Sequence, residues 1–148
     1  MRPEDTSHPG LAVVVFSGAF DRMHYALVMA AAAAAIGRPV TLFFTMEACR
    51  TLLAADAEGI PAWRRLPAGE RKGTAGAMDD DFKRRGIGDF EQLLSSCQEL
   101  GVRFLVCEMG LRALGLKRAD LRGDLAIEEG GAVTFLNDVP AGGSMLFI

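Results

Sequence analysis

The chain of 148 residues is long enough to bury one real core and too short for two comfortable domains. With 50% apolar and 24% charged residues it has ordinary globular usage, which excludes a disordered or collagen-like chain. A net charge of -3 and a pI near 5.4 exclude a broad nucleic-acid-coating surface, while a mean hydropathy of +0.20 points to apolar surface covered in a subunit interface.

Residues 1–10 are polar and read as a tail, followed by one α/β domain over 11–148. The first ordered element is Leu11-Ala-Val-Val-Val-Phe16, a continuous apolar run of the kind that forms a strand buried on both faces of a parallel sheet. Ser17-Gly18 turns the chain, and Asp21 is the expected N-cap of a helix running to Ile36. That helix carries an alanine block with little polar face, so it packs on the sheet and on a neighbouring helix or subunit. At 11 residues, the apolar run Ala26–Ile36 falls short of the roughly 18 a membrane helix needs.

Gly37 stops the helix and Val40–Phe44 forms the second buried strand. A helix is expected from Thr45 or Met46 through about Ala55, carrying Cys49, Leu52 and Leu53. The rhythm then breaks over about 56–86, which reads as a long loop insertion, either a solvated excursion or a cover over a pocket. Helical spacing returns over Ile87–Leu100, Val102–Cys107 is the third strand, and Glu108–Leu116 a short helix. A short strand over Leu125–Ile127, a helix over Glu129–Asp138 and a last strand over Ser144–Ile148 complete the chain. The expected fold is a single three-layer domain with about five mostly parallel strands and helices on both faces.

In such sheets ligands bind outside the carboxyl ends of the strands. Ser17–Asp21, Thr45–Cys49 and Cys107–Gly110 should all reach that edge, which makes Ser17, Gly18, Met46, Cys49, Glu108 and Met109 candidate binding residues. Cys107 is the leading candidate nucleophile. It ends a buried strand and precedes a short helix, where backbone amides and the helix dipole favour thiolate, although a buried cysteine is as readily a small packing residue. Cys49 reads as helix packing, and nothing in the sequence says whether it meets Cys107. Cys97 continues the stripe of Phe90, Leu93 and Leu94 and reads as core. His24 lies near the same edge and is a speculative proton partner for Cys107, against its reading as a helix-surface residue.

Three dispersed cysteines and two distant histidines form no metal set, and no nucleotide-binding glycine motif is present, so no cofactor or metal is expected. The odd cysteine count, with no basic-then-apolar leader at the start, leads to the expectation of reduced thiols in the cytoplasm.

Several segments in this order resemble one family. Phe16-Ser17-Gly18 precedes an acid and an alanine-rich helix, then comes Gly37-Arg38-Pro39-Val40-Thr41-Leu42-Phe43-Phe44-Thr45. Gly86-Ile87 leads into a helix that ends at Leu100-Gly101-Val102, and Val106-Cys107-Glu108-Met109 follows. Leu114–Leu121 and Gly130–Leu136 continue the pattern. From Leu11 onward the chain resembles DsrE/DsrF-like proteins of the DsrEFH superfamily, in the uncharacterised branch sometimes called peroxiredoxin-like. Its Thr45–Cys49 stretch departs from the aromatic-rich segment expected there.

The resemblance implies a small α/β sandwich that assembles into homo-oligomers, often trimers or hexamers. It also implies a sulfur carrier or sulfurtransferase holding sulfur as a persulfide on the cysteine after a central strand, matched here by Cys107. The partners would be a sulfane-sulfur donor and an acceptor protein or small thiol, with no nucleic acid and no membrane association. The expected function is a sulfur relay on Cys107. The alternatives are a non-catalytic ligand-binding or scaffold module of the same fold, or a thiol redox sensor using Cys49 and Cys107.

Overall fold

In the computed structural model, which describes residues 8–139 and 142–148, the three long apolar runs are adjacent strands. They are β1 (Leu11–Val15), β2 (Val40–Phe44) and β3 (Arg103–Cys107). With β4 (Ile127–Gly130) and β5 (Ser144–Phe147) they form a five-stranded sheet in the order β4-β3-β2-β1-β5, every pair parallel. Most of the polar 1–10 segment lies outside the described residues.

The period-2 alternation of the strands sorts the core into two layers. Leu11, Val13, Val15, Leu42, Phe44, Phe104 and Val106 point to the face covered by helices α1 (Phe20–Ala35) and α3 (Phe90–Glu99). Ala12, Phe43, Leu105 and Cys107 point to the other face, where α5 (Ala132–Asp138) supplies Phe135, stacked on Phe43 with ring centroids 4.8 Å apart. The second face is thinly covered. Edge strand β5 is exposed along its length, and Phe147, 71% exposed, meets Phe16 5.4 Å away.

Helix α1 buries Phe20, Met23, Leu27, Ala30 and Ala33 and leaves Tyr25, Met29 and Ile36 in solvent. Asp21 is not its N-cap. Ala19 holds that position, and the amides of Phe20 and Asp21 donate to the carbonyls of Pro67 and Ala68, each 2.9 Å away. A neighbouring segment thus does the work a capping side chain would otherwise do.

That neighbour is the region read as a long loop, and it is an ordered cover with secondary structure of its own. It contains a 3-10 turn over Ala62–Arg65 and helix α2 (Ala75–Arg84), whose first turn is capped by Thr74 Oγ1 accepting from the Ala77 amide at 3.2 Å. Trp63, Ala68, Ala75 and Met78 enter the main core, with Trp63 stacked on Phe20. Its few apolar residues are spaced too irregularly to advertise a helix, and tertiary packing orders it regardless.

Two further boundaries differ from the sequence reading. The helix expected from Thr45 or Met46 to Ala55 is a 3-10 turn over Met46–Leu52. Near the end of the chain, Gly130 pairs with Cys107 in the sheet, so the strand runs to Gly130 and the helix starts after Gly131. Two glycines cost a helix more than they cost a strand end.

Candidate functional site

The carboxyl ends of β1, β2 and β3 bring Ser17-Gly18, Thr45–Cys49 and Cys107–Gly110 side by side, and two glycines allow the approach. A Cβ on Gly18 would sit 2.9 Å from Glu47 Cβ. On Gly110 it would sit 2.7 Å from the Met46 amide nitrogen, 3.0 Å from Cys49 Sγ and 3.3 Å from Thr45 Oγ1. Met46 itself has φ +49°, the one non-glycine residue with positive φ among the described residues. Non-glycine residues adopt that region at a cost, and tight functional turns are where it collects. The strained turn after β2 is wedged between the other two segments, which explains the tighter 3-10 path in place of an α-helix.

Cys107 is the last residue of β3 and the N-cap of α4 (Glu108–Ala113). Its Sγ accepts from the Gly110 amide at 3.4 Å. The side chain is 2% exposed, turned into the thin-face cluster with Leu105 and Phe135.

Cys49 lies on the other side of Gly110, fully buried, its thiol donating to the Phe44 carbonyl at 3.6 Å. Burial, then the charge of Cys107, push its pKa up to about 12, against opposing backbone hydrogen bonds from Cys107 and Cys49 itself. It therefore stays a protonated thiol at neutral pH. The structure thus joins what the sequence left open: both sulfurs lie against one residue, Gly110, its amide donating to Cys107 and the place of its missing Cβ facing Cys49.

Cys97 is separate. Its thiol donates to the Leu27 carbonyl at 3.6 Å between α3 and α1, and burial alone pushes its pKa up to about 11. That is the environment of a packing residue.

The structure does not bring His24 to the sulfurs. Its Nε2 is 2.8 Å from the Gly88 carbonyl, and the ring sits among Phe20 and Phe82, with centroids 5.5 and 4.9 Å away. It is a buried histidine holding the start of α3 against α1, neither a surface residue nor a neighbour of Cys107. Most of the amides after β1 are also committed. Phe16 and Ser17 donate to the Ile148 carbonyl, Ala19 donates to Ser17 Oγ, and Phe20 and Asp21 donate to the cover. The amide seen donating to Cys107 Sγ comes from the α4 side, at Gly110. Glu108 and Met109 are exposed, and Glu108 turns toward a cleft of about 240 Å³ shared with Arg112, Lys117 and Arg118.

Sequence reasoning missed Gly110 as a working residue. Its signal was a glycine in the first turn of a short helix, where a good helix former costs nothing and glycine costs about 1 kcal/mol. Among the described residues no three His, Cys, Asp or Glu side chains gather as a metal set.

Comparison with known proteins bears on the same segments. The model of the DsrE/DsrF/DrsH-like family matches residues 66–147, which span Cys107, α4, β4, α5 and β5. An uncharacterised protein of Bacillus subtilis, YrkE, is 28% identical over 92% of this chain and 94% of its own. The sulfur carrier protein DsrE2 of Allochromatium vinosum is 26% identical, covering 84% of this chain and 89% of its own. Among solved structures, a protein of unknown function from Methanobacterium thermoautotrophicum superposes with a TM-score of 0.61 at 12% identity. It covers 95% of this chain and 100% of its own, a likeness of fold.

Proposed function

The chain belongs to the DsrE/DsrF/DrsH-like family, and from that premise we propose that it is a sulfur-relay protein holding sulfane sulfur as a persulfide on Cys107. The observation that carries this reading is the position of Cys107. It ends a central strand and caps α4, with the Gly110 amide donating to Sγ at 3.4 Å. An amide directed at the sulfur is a donor placed to meet the negative charge carried there during attack and release. Similarity to a sulfur carrier over most of both chains supports the same chemistry.

In the relay, the Cys107 thiolate attacks the terminal sulfur of a sulfane donor, and the donor's S–S bond breaks as its thiolate leaves. An acceptor thiolate then attacks the outer sulfur of the persulfide, and Cys107 leaves as thiolate. Arg112, Lys117 and Arg118 line the cleft beside α4 and draw an anionic donor to it, with Glu108 and Glu129 in the same cleft moderating the charge. Cys107, 2% exposed, reaches a donor through local opening, and the seven-residue α5, whose one buried residue is Phe135, is the element covering that face.

The exposed apolar strip of Phe16, Met145 and Phe147 supports assembly as a homo-oligomer, a trimer or hexamer. No helix among the described residues is long and apolar enough to cross a membrane; a relay that needs reduced thiols fits a reducing compartment such as the cytoplasm. The burial of Cys107 favours one other reading, a non-catalytic ligand-binding or scaffold module of the same fold.

A transfer assay separates the two. Protein loaded with labelled inorganic polysulfide and desalted should pass label to an added thiol. Cys107→Ser should pass none, and Cys97→Ser should pass as much as the parent. Transfer that survives Cys107→Ser contradicts the relay assignment.

A further inference from the structure

Cys49 has no part in the relay, yet it is fully buried against the residue that cradles Cys107. Gly110 donates its amide to Cys107 Sγ at 3.4 Å, and the place its missing Cβ would take is 3.0 Å from Cys49 Sγ. The strained Met46 turn directs Cys49 inward, and Cys49 meets the Phe44 carbonyl at the end of β2 while Cys107 ends the adjacent strand β3. Cys107 at the end of β3 and Cys49 in the 3-10 turn after β2 thus lie against the same glycine, and the charge of one acts on the other. We infer that Cys49 is the resolving thiol of the Cys107 persulfide, discharging it as hydrogen sulfide when no acceptor takes the sulfur. This rests on the relay reading and adds a second activity to it.

The step balances without an outside oxidant. Cys49 Sγ attacks Cys107 Sγ, the inner sulfur of the persulfide. A Cys49–Cys107 disulfide forms, the bond from Cys107 Sγ to the sulfane sulfur breaks, and that sulfur departs as hydrosulfide. The two cysteine sulfurs are oxidised and the sulfane sulfur is reduced to sulfide. The Cys49 proton ends on the released sulfide. Attack by Cys49 falls on the inner sulfur because Cys49 approaches from the protein side, against Gly110 and Cys107, whereas an acceptor from solution meets the outer sulfur first; hydrosulfide is a competent leaving group. A thiol or dithiol reductant then restores both cysteines.

The high pKa of Cys49 sets the tempo. Only a small fraction of Cys49 is thiolate at neutral pH, so discharge is slow and an acceptor thiol in solution competes for the persulfide first. Discharge should accelerate as pH rises from neutrality toward 9.

The test uses the whole chain. Parent and Cys49→Ser proteins are exposed to inorganic polysulfide under anaerobic conditions, desalted and followed by intact mass, peptide mapping and sulfide release. In the parent, the extra sulfur on Cys107 should give way to a linked Cys49–Cys107 peptide with one equivalent of sulfide. In Cys49→Ser the extra sulfur on Cys107 should last about ten-fold longer, with no linked peptide. A Cys107 adduct that forms in both proteins, with equal lifetimes and no linked peptide in the parent, overturns the resolving role and leaves the relay standing. Failure of Cys107 to take up sulfur in both proteins, each folded by circular dichroism, overturns the relay and the resolving role with it. The parent's linked peptide and sulfide yield decide the matter even if Cys49→Ser folds poorly.

Discussion

The two faces of the sheet bury their cysteines equally and treat them differently. On the thick face, α1, α3 and the cover of residues 56–86 seal Cys97 in a continuous apolar core, where desolvation alone acts on its thiol. On the thin face, Cys107 shares a small cluster with Ala12, Phe43, Leu105 and Phe135 under one seven-residue helix, and a backbone amide donates to its sulfur. Exposure is 0% for one sulfur-bearing residue and 2% for the other, so burial does not distinguish them. What differs is the polar group beside the sulfur and the amount of structure that must move to reach it. The proposed chemistry sits where a strand end, a helix start and thin coverage coincide.

The sharpest way to break this comparison is to remove the thin cover. Phe135 is the one buried side chain of α5, so Phe135→Ala should cost about 3–5 kcal/mol in urea unfolding. It should also speed alkylation of Cys107 by iodoacetamide far more than that of Cys97. Equal acceleration at the two cysteines would mean that α5 is no separate lid.

The thick face makes the next prediction through pH. The Cys97 thiol is raised in the folded protein from 9.0 to about 11, so its contribution to stability is fully present below pH 9 and is lost as pH rises toward 11. A full loss over that window is roughly 2–3 kcal/mol, taking about 1.4 kcal/mol for each pH unit. Cys97→Ala should flatten that part of the alkaline fall in stability. An identical fall in both proteins would show that Cys97 is not desolvated as described.

Gly110 tests the join between the sulfurs. A methyl there meets the Met46 backbone at 2.7 Å, so Gly110→Ala should cost about 1–3 kcal/mol as overpacking and lower the sulfur loaded on Cys107. Unchanged stability and loading would contradict the close approach. The smallest effect belongs to the exposed ion pair that tethers α5 to β3, Arg103 with Asp138 at 3.2 Å. Arg103 also pairs with Glu128, and Arg103→Ala should cost less than about 1 kcal/mol in thermal unfolding.

Much of this was legible in the chain. Leu11–Val15, Val40–Phe44 and Arg103–Cys107 are runs apolar enough for burial on both faces, and from them followed a parallel sheet whose carboxyl edge gathers the three segments that do meet. The same apolarity hid which face each side chain takes, because a run buried on both sides has no polar phase to mark it. Cys107 and Val106 look alike in sequence and lie on opposite faces. The cover was illegible for another reason. Trp63, Ala68, Ala75 and Met78 reach the core singly, fixed there by long-range bonds: the Pro67 and Ala68 carbonyls on the start of α1, Trp63 Nε1 on Glu91 and the Phe90 amide on Asp79. His24 was misplaced because its partner, the Gly88 carbonyl, lies 64 residues away and carries no side-chain signature.

The most direct measurement is the mass of the Cys107 peptide after exposure of the whole protein to inorganic polysulfide, taken before and after reduction with dithiothreitol. The account predicts one added sulfur on that peptide, removed by reductant, with the Cys97 peptide unchanged throughout. A Cys107 peptide that stays unmodified, under conditions that load a known sulfur carrier, contradicts it.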